Sequence, residues 1–158
     1  MVTLKIGRNR LKKNITAKSH QRVLAHVNRK RWWHVPPGDP DAYEKRGMFL
    51  ASSFKEAEFW GRPNDDPFKV FVARPLVGDE ESIETTLFGC RISSDEITVE
   101  ERWQLDARMR KTALARGYDA IVLMSSKSFA KLKSTGKVPR SLELNVFNRS
   151  HVRVLPPH

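Results

Sequence analysis

The amino-acid sequence predicts one domain of the mixed α+β class over residues 1–158. An apolar content of 39% in 158 residues suits a single domain with a hydrophobic core and argues against global disorder. Helical and strand patterns follow one another in the rough order β-α-β-α-β-β, with the strands concentrated in the middle and at the end. This order is typical of α+β proteins and differs from that of a doubly wound parallel fold.

The N-terminal part of the chain, about residues 1–30, is interpreted as a basic arm. One short strand is expected at residues 2–6, and apolar side chains on one side favour a weak helix over residues 16–28. Two strands are predicted next, an aromatic one at residues 31–35 and a buried one at residues 47–51. A loop that begins with two prolines and a glycine separates them.

Ser53 and Glu56 have the spacing of a capping box, in which a hydroxyl accepts an early helix N–H and a glutamate reaches back to the cap. We therefore predict a short helix after Ser53 that ends near Trp60. Residues 68–77 alternate in part between polar and apolar side chains, which predicts one strand. No element is predicted for residues 78–94.

Thr98 and Glu101 form a second capping-box pattern. The helix that it opens should run to about Arg116 and end at Gly117. Four segments complete the chain: a buried strand at residues 119–124, a basic loop at residues 125–140, and strands at residues 141–147 and 152–155.

The formal net charge of +11 is distributed unevenly along the chain. Residues 1–34 carry ten basic and no acidic side chains, residues 35–112 have a net charge of −5, and residues 113–158 have a net charge of +6. A basic surface attracts polyanions through long-range attraction and counterion release. Nucleic acid is therefore slightly favoured as a partner over the alternative of a solvated, solubilising surface.

The expected location of the protein is the cytoplasm. A lone cysteine, Cys90, forms no internal disulfide and suits a reducing compartment. No apolar segment approaches the roughly 20 residues of a membrane helix, and the charged N-terminus lacks the hydrophobic region of a signal peptide. No membrane partner is predicted.

Motifs for the commonest ligands and reactions are missing from the sequence. It contains no Gly-x-Gly-x-x-Gly motif, no phosphate-loop lysine motif and no Gly-x-Ser-x-Gly motif. No zinc spacing is found either, so no metal is predicted. Two polar residues are conspicuous, His34 at the end of an aromatic strand and Glu143 in an apolar one. Glu143 is the only acid in residues 120–158, and an ionised carboxylate in a half-buried strand needs a partner.

Four segments have a recognisable order. Residues 143–152 contain a glutamate, an apolar strand, a short turn and another apolar residue, and residues 117–122 begin with Gly-Tyr-Asp. Residues 47–59 contain a glycine, an apolar strand, small polar residues and a second aromatic, and Trp33 and His34 precede them. Together these segments resemble the ADP-ribosyltransferase superfamily, in the branch of diphtheria toxin and the poly(ADP-ribose) polymerases, and especially its small bacterial and phage members.

The resemblance implies a fold and an activity. The fold would be a mainly antiparallel, split β-sheet flanked by short helices, and NAD would be the substrate. The enzyme would cleave the nicotinamide glycosidic bond and transfer ADP-ribose to a macromolecule. Proteins of this kind act as toxins, phage proteins or defence effectors, so a cognate antitoxin or inhibitor is a further expected partner.

The resemblance also assigns roles to individual residues. Glu143 would hold the ribose 2′-hydroxyl and stabilise the positive charge that develops on the sugar. His34 would bind the adenosine-side ribose, and Phe49 and Phe59 would sandwich the nicotinamide ring. Ser52 would hydrogen-bond the nicotinamide amide or support Glu143.

Three positions depart from the family pattern. Phe49 stands where the family has tyrosine, and Val35, which we include in the NAD site, stands where it has glycine after the histidine. Ser141, two residues before Glu143, replaces the glutamine or glutamate of the arginine-modifying enzymes, which leaves the acceptor open.

The residues themselves also allow structural interpretations. Glu143 could face solvent beside basic neighbours, and His34 could be an ordinary core or surface histidine. At least one of Phe49 and Phe59 could pack in the core, and Ser52 or Ser53 could be a plain helix cap.

The basic loop before Glu143 is the predicted acceptor site. Its contacts are expected from Lys127, Phe129, Lys131 and Lys133, because lysines with an interleaved aromatic suit a nucleic-acid strand. They also suit an acidic protein surface, and Phe129 could equally be an anchor packed on the core. Nucleic acid is favoured over protein as the acceptor.

Three rival functions remain open at this point. The chain could be a basic nucleic-acid-binding module without catalysis, or a small ribonuclease that uses His34 or His151 with Glu143. An NAD-dependent RNA 2′-phosphotransferase is the third, although its arginine-rich phosphate-binding pattern is not seen. Labelled NAD discriminates among them, because only a transferase releases nicotinamide and labels a macromolecule.

Overall fold

The computed structural model describes residues 15–155, so the strand predicted at residues 2–6 lies outside the described part of the chain. Six helices, seven strands and two 3₁₀ turns are found in this range. In chain order they are α1 (Ala17–Arg29), β1 (Trp33–His34), α2 (Ala42–Arg46), β2 (Met48–Ala51), α3 (Phe54–Ala57), a 3₁₀ turn (Glu58–Trp60), β3 (Phe68–Val70), β4 (Pro75–Gly78), α4 (Glu80–Phe88), α5 (Val99–Ala115), β5 (Ala120–Leu123), α6 (Ser126–Thr135), β6 (Glu143–Val146), a 3₁₀ turn (Arg149–His151) and β7 (Val152–Val154).

The strands form a mostly antiparallel sheet, which confirms the mixed α and β class. Five strands pair in the order β1-β2-β6-β5-β4, and only β4 and β5 are parallel. β3 and β7 form a separate antiparallel pair, which a single bridge between Trp32 and Phe68 connects to the start of β1. Among residues 15–155, no helix is long and apolar enough to cross a membrane.

The five-stranded sheet separates two hydrophobic cores. Residues directly opposite each other on paired strands share a face, so the row that contains Leu50, Leu144 and Val122 lies on one side. This side packs against α1 and α6. The row that contains Phe49 and Ile121 lies on the other side, where α4 and α5 complete a second core.

Two capping predictions are confirmed. The Ser53 hydroxyl accepts the N–H of Glu56 at 3.1 Å and begins α3, which continues as a 3₁₀ turn to Trp60. The carboxylate of Glu56, however, contacts Ser52 instead of the cap. The Thr98 hydroxyl accepts the N–H of Glu101 and begins α5.

The prediction of one strand over residues 68–77 is wrong, because a turn divides it into β3 and β4. Both carboxylate oxygens of Asp119 accept backbone N–H groups in this turn, from Ala73 and Arg74, at 2.8 Å each. In an uninterrupted strand these two N–H groups would be available for hydrogen bonds to a neighbouring strand. Here the carboxylate accepts both of them instead. Asp119 therefore holds the turn, a role that its place in the Gly-Tyr-Asp segment did not indicate.

The segment without a predicted element contains α4, whose buried Glu84 anchors the chain that follows it. Asp79 caps the helix and Gly89 ends it with φ +82°. The Glu84 carboxylate is fully buried and accepts the N–H groups of Ile92 and Ser93 as well as the Ser93 hydroxyl. A buried carboxylate needs such donors, so this acid has a structural role.

The basic loop predicted at residues 125–140 is mainly a helix, α6, and the prediction is corrected. The Ser125 hydroxyl accepts the N–H of Ser128 at 3.1 Å, and Gly136 ends the helix with φ +75°. Phe129 and Leu132 are buried one turn apart in the core to which α1 also contributes. These two apolar residues have helical spacing, and Ser125 and Gly136 cap the helix. Both features outweigh the polar composition that suggested a loop.

Candidate active site

A shallow pocket lies over β2, β5 and β6 on the side of the sheet that faces α4 and α5. Six of the residues that line it are Phe49, Glu80, Arg102, Asp106, Glu143 and Asn145. Its cavity volume is about 30 Å³, which is room for one or two water molecules. A molecule as large as nicotinamide would therefore occupy the open part of the concavity.

Glu143 begins β6 opposite Ala51 of β2 and Leu123 of β5. Its side chain is exposed and lines the pocket, yet neighbouring protein atoms surround much of its carboxylate. Partial burial raises the pKa of Glu143; Arg102 opposes this, and Glu80, Glu56 and Asp106 add to it. Among residues 15–155, no side chain or backbone group donates a hydrogen bond to this carboxylate or forms an ion pair with it. Such an unpaired acid is available to a ligand.

Arg102 connects the other two acids of the pocket. Its Nη1 lies 3.0 Å from Glu80 Oε1, and its Nε lies 3.2 Å from Asp106 Oδ1. Arg91 reaches the second oxygen of Glu80 at 3.6 Å. Because Arg102 is engaged with both carboxylates, it acts on Glu143 through space, without direct contact.

Burial raises the pKa of Asp106 to about 6, although Arg102 and Arg46 lower it. The sequence analysis missed Glu80, Arg102 and Asp106 as members of this site. The spacing of Arg102 and Asp106, one helical turn apart, was a visible signal of an ion pair but not of its location.

We expect the free energy of unfolding of Asp106→Asn, measured relative to that of the wild type, to increase as the pH rises from 4 to 7.5. The folded pKa of about 6 exceeds the ordinary 3.8, so between these values the folded state binds more protons than the unfolded state. Wild-type stability therefore falls as the pH rises through this window. The shift of about two pKa units corresponds to about 3 kcal/mol.

Urea unfolding of both proteins at pH 4 and pH 7.5 measures this difference, and Asp65→Asn, at an exposed position, is the control. An Asp106→Asn effect that is equal at both pH values would contradict the linkage.

Asn145 and Gly47 fit tightly against each other at the base of the pocket. The Asn145 amide donates to the carbonyl of Arg46 at 2.8 Å. Its Oδ1 is buried and accepts no hydrogen bond from residues 15–155. A Cβ added at Gly47 would lie only 2.1 Å from this oxygen, and Gly47 has φ +94°. The glycine is therefore required by both the backbone and the neighbouring side chain.

Ser52 is buried and links β2 to the chain before Glu143. Its hydroxyl accepts the N–H of Leu142 at 2.9 Å and donates to the Glu56 carboxylate at 2.6 Å. Ser52 is neither a helix cap nor a residue of the pocket lining. Its contacts hold Leu142, the residue that precedes Glu143; a role of Ser52 in supporting Glu143 stays a prediction.

His34 is buried on the opposite side of the sheet from Glu143. It pairs with Leu50, whereas Glu143 pairs with Ala51. Nδ1 donates to the carbonyl of Phe49 at 2.7 Å, and the Tyr43 hydroxyl lies 2.9 Å from Nε2. Burial lowers the pKa of His34, with a smaller contribution from Arg149 and an opposing one from the Phe49 carbonyl. The ring is therefore neutral at pH 7, and Nε2 accepts from Tyr43.

Of the two phenylalanines predicted to hold nicotinamide, only Phe49 lines the pocket. Phe49 is 44% exposed, and Phe59 is 82% exposed with its ring nearly perpendicular to that of Trp60. Phe59 lies near a second, open groove, whose lining residues include Phe54 and Arg62. Val35, the remaining residue predicted to bind NAD, also lies near this groove. Its Cγ1 is 3.0 Å from the position of a Cβ added at Gly61, which lines the groove.

The predicted acceptor residues lie on α6, in the layer beyond the sheet from Glu143. Phe129 is 4% exposed and belongs to the core, and Lys133 lies over its ring at 4.5 Å. Phe129 is therefore an anchor and offers no surface for a base. Lys127 and Lys131 are exposed.

No known family model matches the sequence, and neither curated proteins nor solved structures show significant similarity to it.

Proposed function

We propose that the protein is an NAD-dependent mono-ADP-ribosyltransferase with an ADP-ribosyltransferase-like fold, and that it acts in the cytoplasm, where the exposed Cys90 stays reduced. One observation carries the proposal. The unpaired carboxylate of Glu143 opens into a pocket that it shares with an exposed aromatic ring, Phe49. The order of the four motif segments supports the same assignment.

The proposed reaction breaks the bond between the nicotinamide nitrogen and ribose C1′. The bonding electron pair leaves with nicotinamide, and C1′ acquires positive charge as the bond lengthens. A nucleophilic atom of the acceptor then forms a bond to C1′ and releases its proton to solvent. The products are nicotinamide, the ADP-ribosylated acceptor and one proton.

The chemistry of the pocket suits this reaction. A carboxylate that accepts a hydrogen bond from the ribose 2′-hydroxyl interacts more strongly as the sugar becomes cationic, and only such differential binding accelerates the reaction. Glu80 and Asp106 lie beside Glu143, but Arg102 and Arg91 pair with them, so the carboxylate of Glu143 is the unpaired negative charge that would face a cationic ring and a cationic transition state. The exposed face of Phe49 offers a stacking surface for nicotinamide.

His34 would take part only if NAD extended from the pocket to the other side of the sheet, where the histidine is buried. Its Nε2 is engaged by the Tyr43 hydroxyl, so contact with the adenosine ribose also requires that this hydrogen bond be exchanged. Tyr43 is half-buried, and its ring lies under the guanidinium of Arg149 at 4.2 Å. Tyr43 therefore controls access to the histidine in this proposal.

His34→Ala is expected to raise KM for NAD more than it lowers kcat, because a ribose contact contributes uniform binding. The variant should also be less stable by about 1–3 kcal/mol, since the carbonyl of Phe49 loses its donor. Tyr43→Phe is the matched control, because it removes the hydroxyl that competes for Nε2 and should not raise KM. Steady-state kinetics at several NAD concentrations separate these effects. An unchanged KM in His34→Ala with a collapsed kcat would contradict the ribose role.

Incubation with NAD labelled in the adenosine moiety tests the proposed function directly. We expect free nicotinamide and label that becomes bound to a macromolecule in a cell lysate. Digestion of the product with nuclease or with protease then identifies the class of the acceptor. Absence of nicotinamide release with the purified protein and with lysate would refute the proposal.

A non-catalytic, basic nucleic-acid-binding module is the second candidate. Two observations favour it: the cavity volume of the pocket is small, and the chain has a net charge of +11. Such a module would bind nucleic acid and leave NAD intact. The same transferase with a protein acceptor is distinguished by the protease arm of the labelling experiment.

A further inference from the structure

Helices α1 and α6 contribute to the same core and present basic surface on the layer opposite the pocket. We call it the α1/α6 surface, and its exposed cations are Lys18, Arg22, Arg29, Lys127, Lys131 and Lys137. Val23 and Val27 of α1 share one core with Phe129 and Leu132 of α6. The guanidinium of Arg22 also reaches the carbonyl of Gly136 at 3.5 Å.

The cations of this surface follow the helical repeat. Lys18, Arg22 and Arg29 are four and seven residues apart, so they lie along one exposed stripe of α1. Lys127 and Lys131 are four residues apart on α6. Each helix therefore carries an exposed stripe of positive charge, and both helices belong to the layer opposite the pocket.

Neighbouring acids do not compensate this charge. Residues 15–38 and 120–142 contain no Asp or Glu. Within residues 15–155, the ion pairs involve other cations, on the opposite layer or on the loops. Like charges held this close repel one another, so a surface of this kind gains most from a polyanion.

The remaining chemistry of the surface favours phosphate over protein or lipid. None of the exposed large hydrophobic side chains found in residues 15–155 lies on α1 or α6. Protein interfaces are enriched in aromatic residues and poor in lysine, and amphipathic membrane helices bury apolar side chains. Exposed hydroxyls accompany the cations on α6, from Ser126, Ser134 and Thr135. Lysine, arginine and hydroxyl side chains are the usual ligands of nucleic-acid phosphates.

We propose that the α1/α6 surface binds the sugar-phosphate backbone of a nucleic-acid duplex without reading its sequence. That the duplex is the acceptor of ADP-ribose rests on the proposed function. Binding of the duplex itself requires neither NAD nor Glu143. The N-terminal end of α6 follows β5, whose last residue, Leu123, pairs with Glu143. A duplex that reaches the N-terminal end of α6 therefore approaches the end of β6 at which Glu143 lies.

Fluorescence anisotropy of a labelled DNA duplex and of the RNA duplex with the same sequence tests the proposal without NAD. Lys127→Glu/Lys131→Glu should weaken binding at least about tenfold and reduce the slope of log K against log salt by about two. Lys55→Glu/Lys111→Glu is the matched control, because both lysines are exposed on α3 and α5 and the change in net charge is the same. It should weaken binding about threefold or less. Equal melting temperatures of the two variants exclude a folding defect.

Three outcomes overturn the proposal. The wild-type protein binds neither duplex, both double variants weaken binding equally, or polyglutamate and anionic vesicles bind as tightly as the duplexes. Glu143→Gln should bind the duplexes like the wild type. If duplex binding fails while nicotinamide is released, the transferase proposal stands and this surface is not its acceptor site.

Discussion

Glu143→Gln is expected to lower the rate of nicotinamide release by about 10²–10³-fold while the fold is retained. Glutamine preserves the shape of the side chain and its ability to accept a hydrogen bond, but it removes the charge that stabilises the developing cation. The carboxylate has no partner to lose among residues 15–155, and burial raises its pKa. Removing the charge therefore relieves a penalty, so the variant should melt no lower than the wild type.

Glu80→Gln provides the matched control for this prediction. It removes a carboxylate from the same pocket, but one already paired with Arg102 and Arg91. Its rate should fall by less than about tenfold, since the charge it removes is largely neutralised. Equal losses in the two variants would assign the effect to the overall field of the pocket. Near-wild-type release by Glu143→Gln would remove this residue from the mechanism.

Strands of the main sheet could be predicted because each one is recognisable from its own residues, without knowledge of its partners in the fold. β2, β5 and β6 are short apolar segments covered on both faces along much of their length, and α5 carries its own cap at Thr98. Helix α6 was missed because the five lysines and arginines in and after it resemble a solvated loop. The signal that favoured a helix was weak, since only Phe129 and Leu132 are buried in it.

The site could be predicted only in part, because register and packing decide which side chains meet. Glu143 stood out as a lone acid in an apolar strand, and the structure shows it as an accessible carboxylate in a pocket. Arg102 and Asp106 come from α5, which the sequence does not place over β6. His34 lies on the other side because it pairs with Leu50, and a shift of one residue would have reversed this.

Gly47→Ala is expected to destabilise the protein by about 2–4 kcal/mol. The residue has φ +94°, which L-amino acids with a side chain rarely adopt, and its Cβ would lie 2.1 Å from Asn145 Oδ1. Gly89→Ala sets a lower bound on the backbone cause, since Gly89 has φ +82° and ψ −10°, in the left-handed region, with open space around the added Cβ, whereas Gly47 has ψ −175°. That control should lose only about 1–2 kcal/mol, the cost of the left-handed backbone.

A double-mutant cycle with Asn145→Ala identifies the contact itself. Asn145→Ala alone removes the hydrogen bond to the Arg46 carbonyl and should cost about 1 kcal/mol. Because it also removes the oxygen that the methyl group added by Gly47→Ala would strike, the double variant should be more stable than the sum of the single effects by about 1–2 kcal/mol. Chemical denaturation of the four proteins measures this coupling. Strict additivity would show that the backbone conformation of Gly47 alone, and not its fit against Asn145 at the base of the pocket, requires glycine.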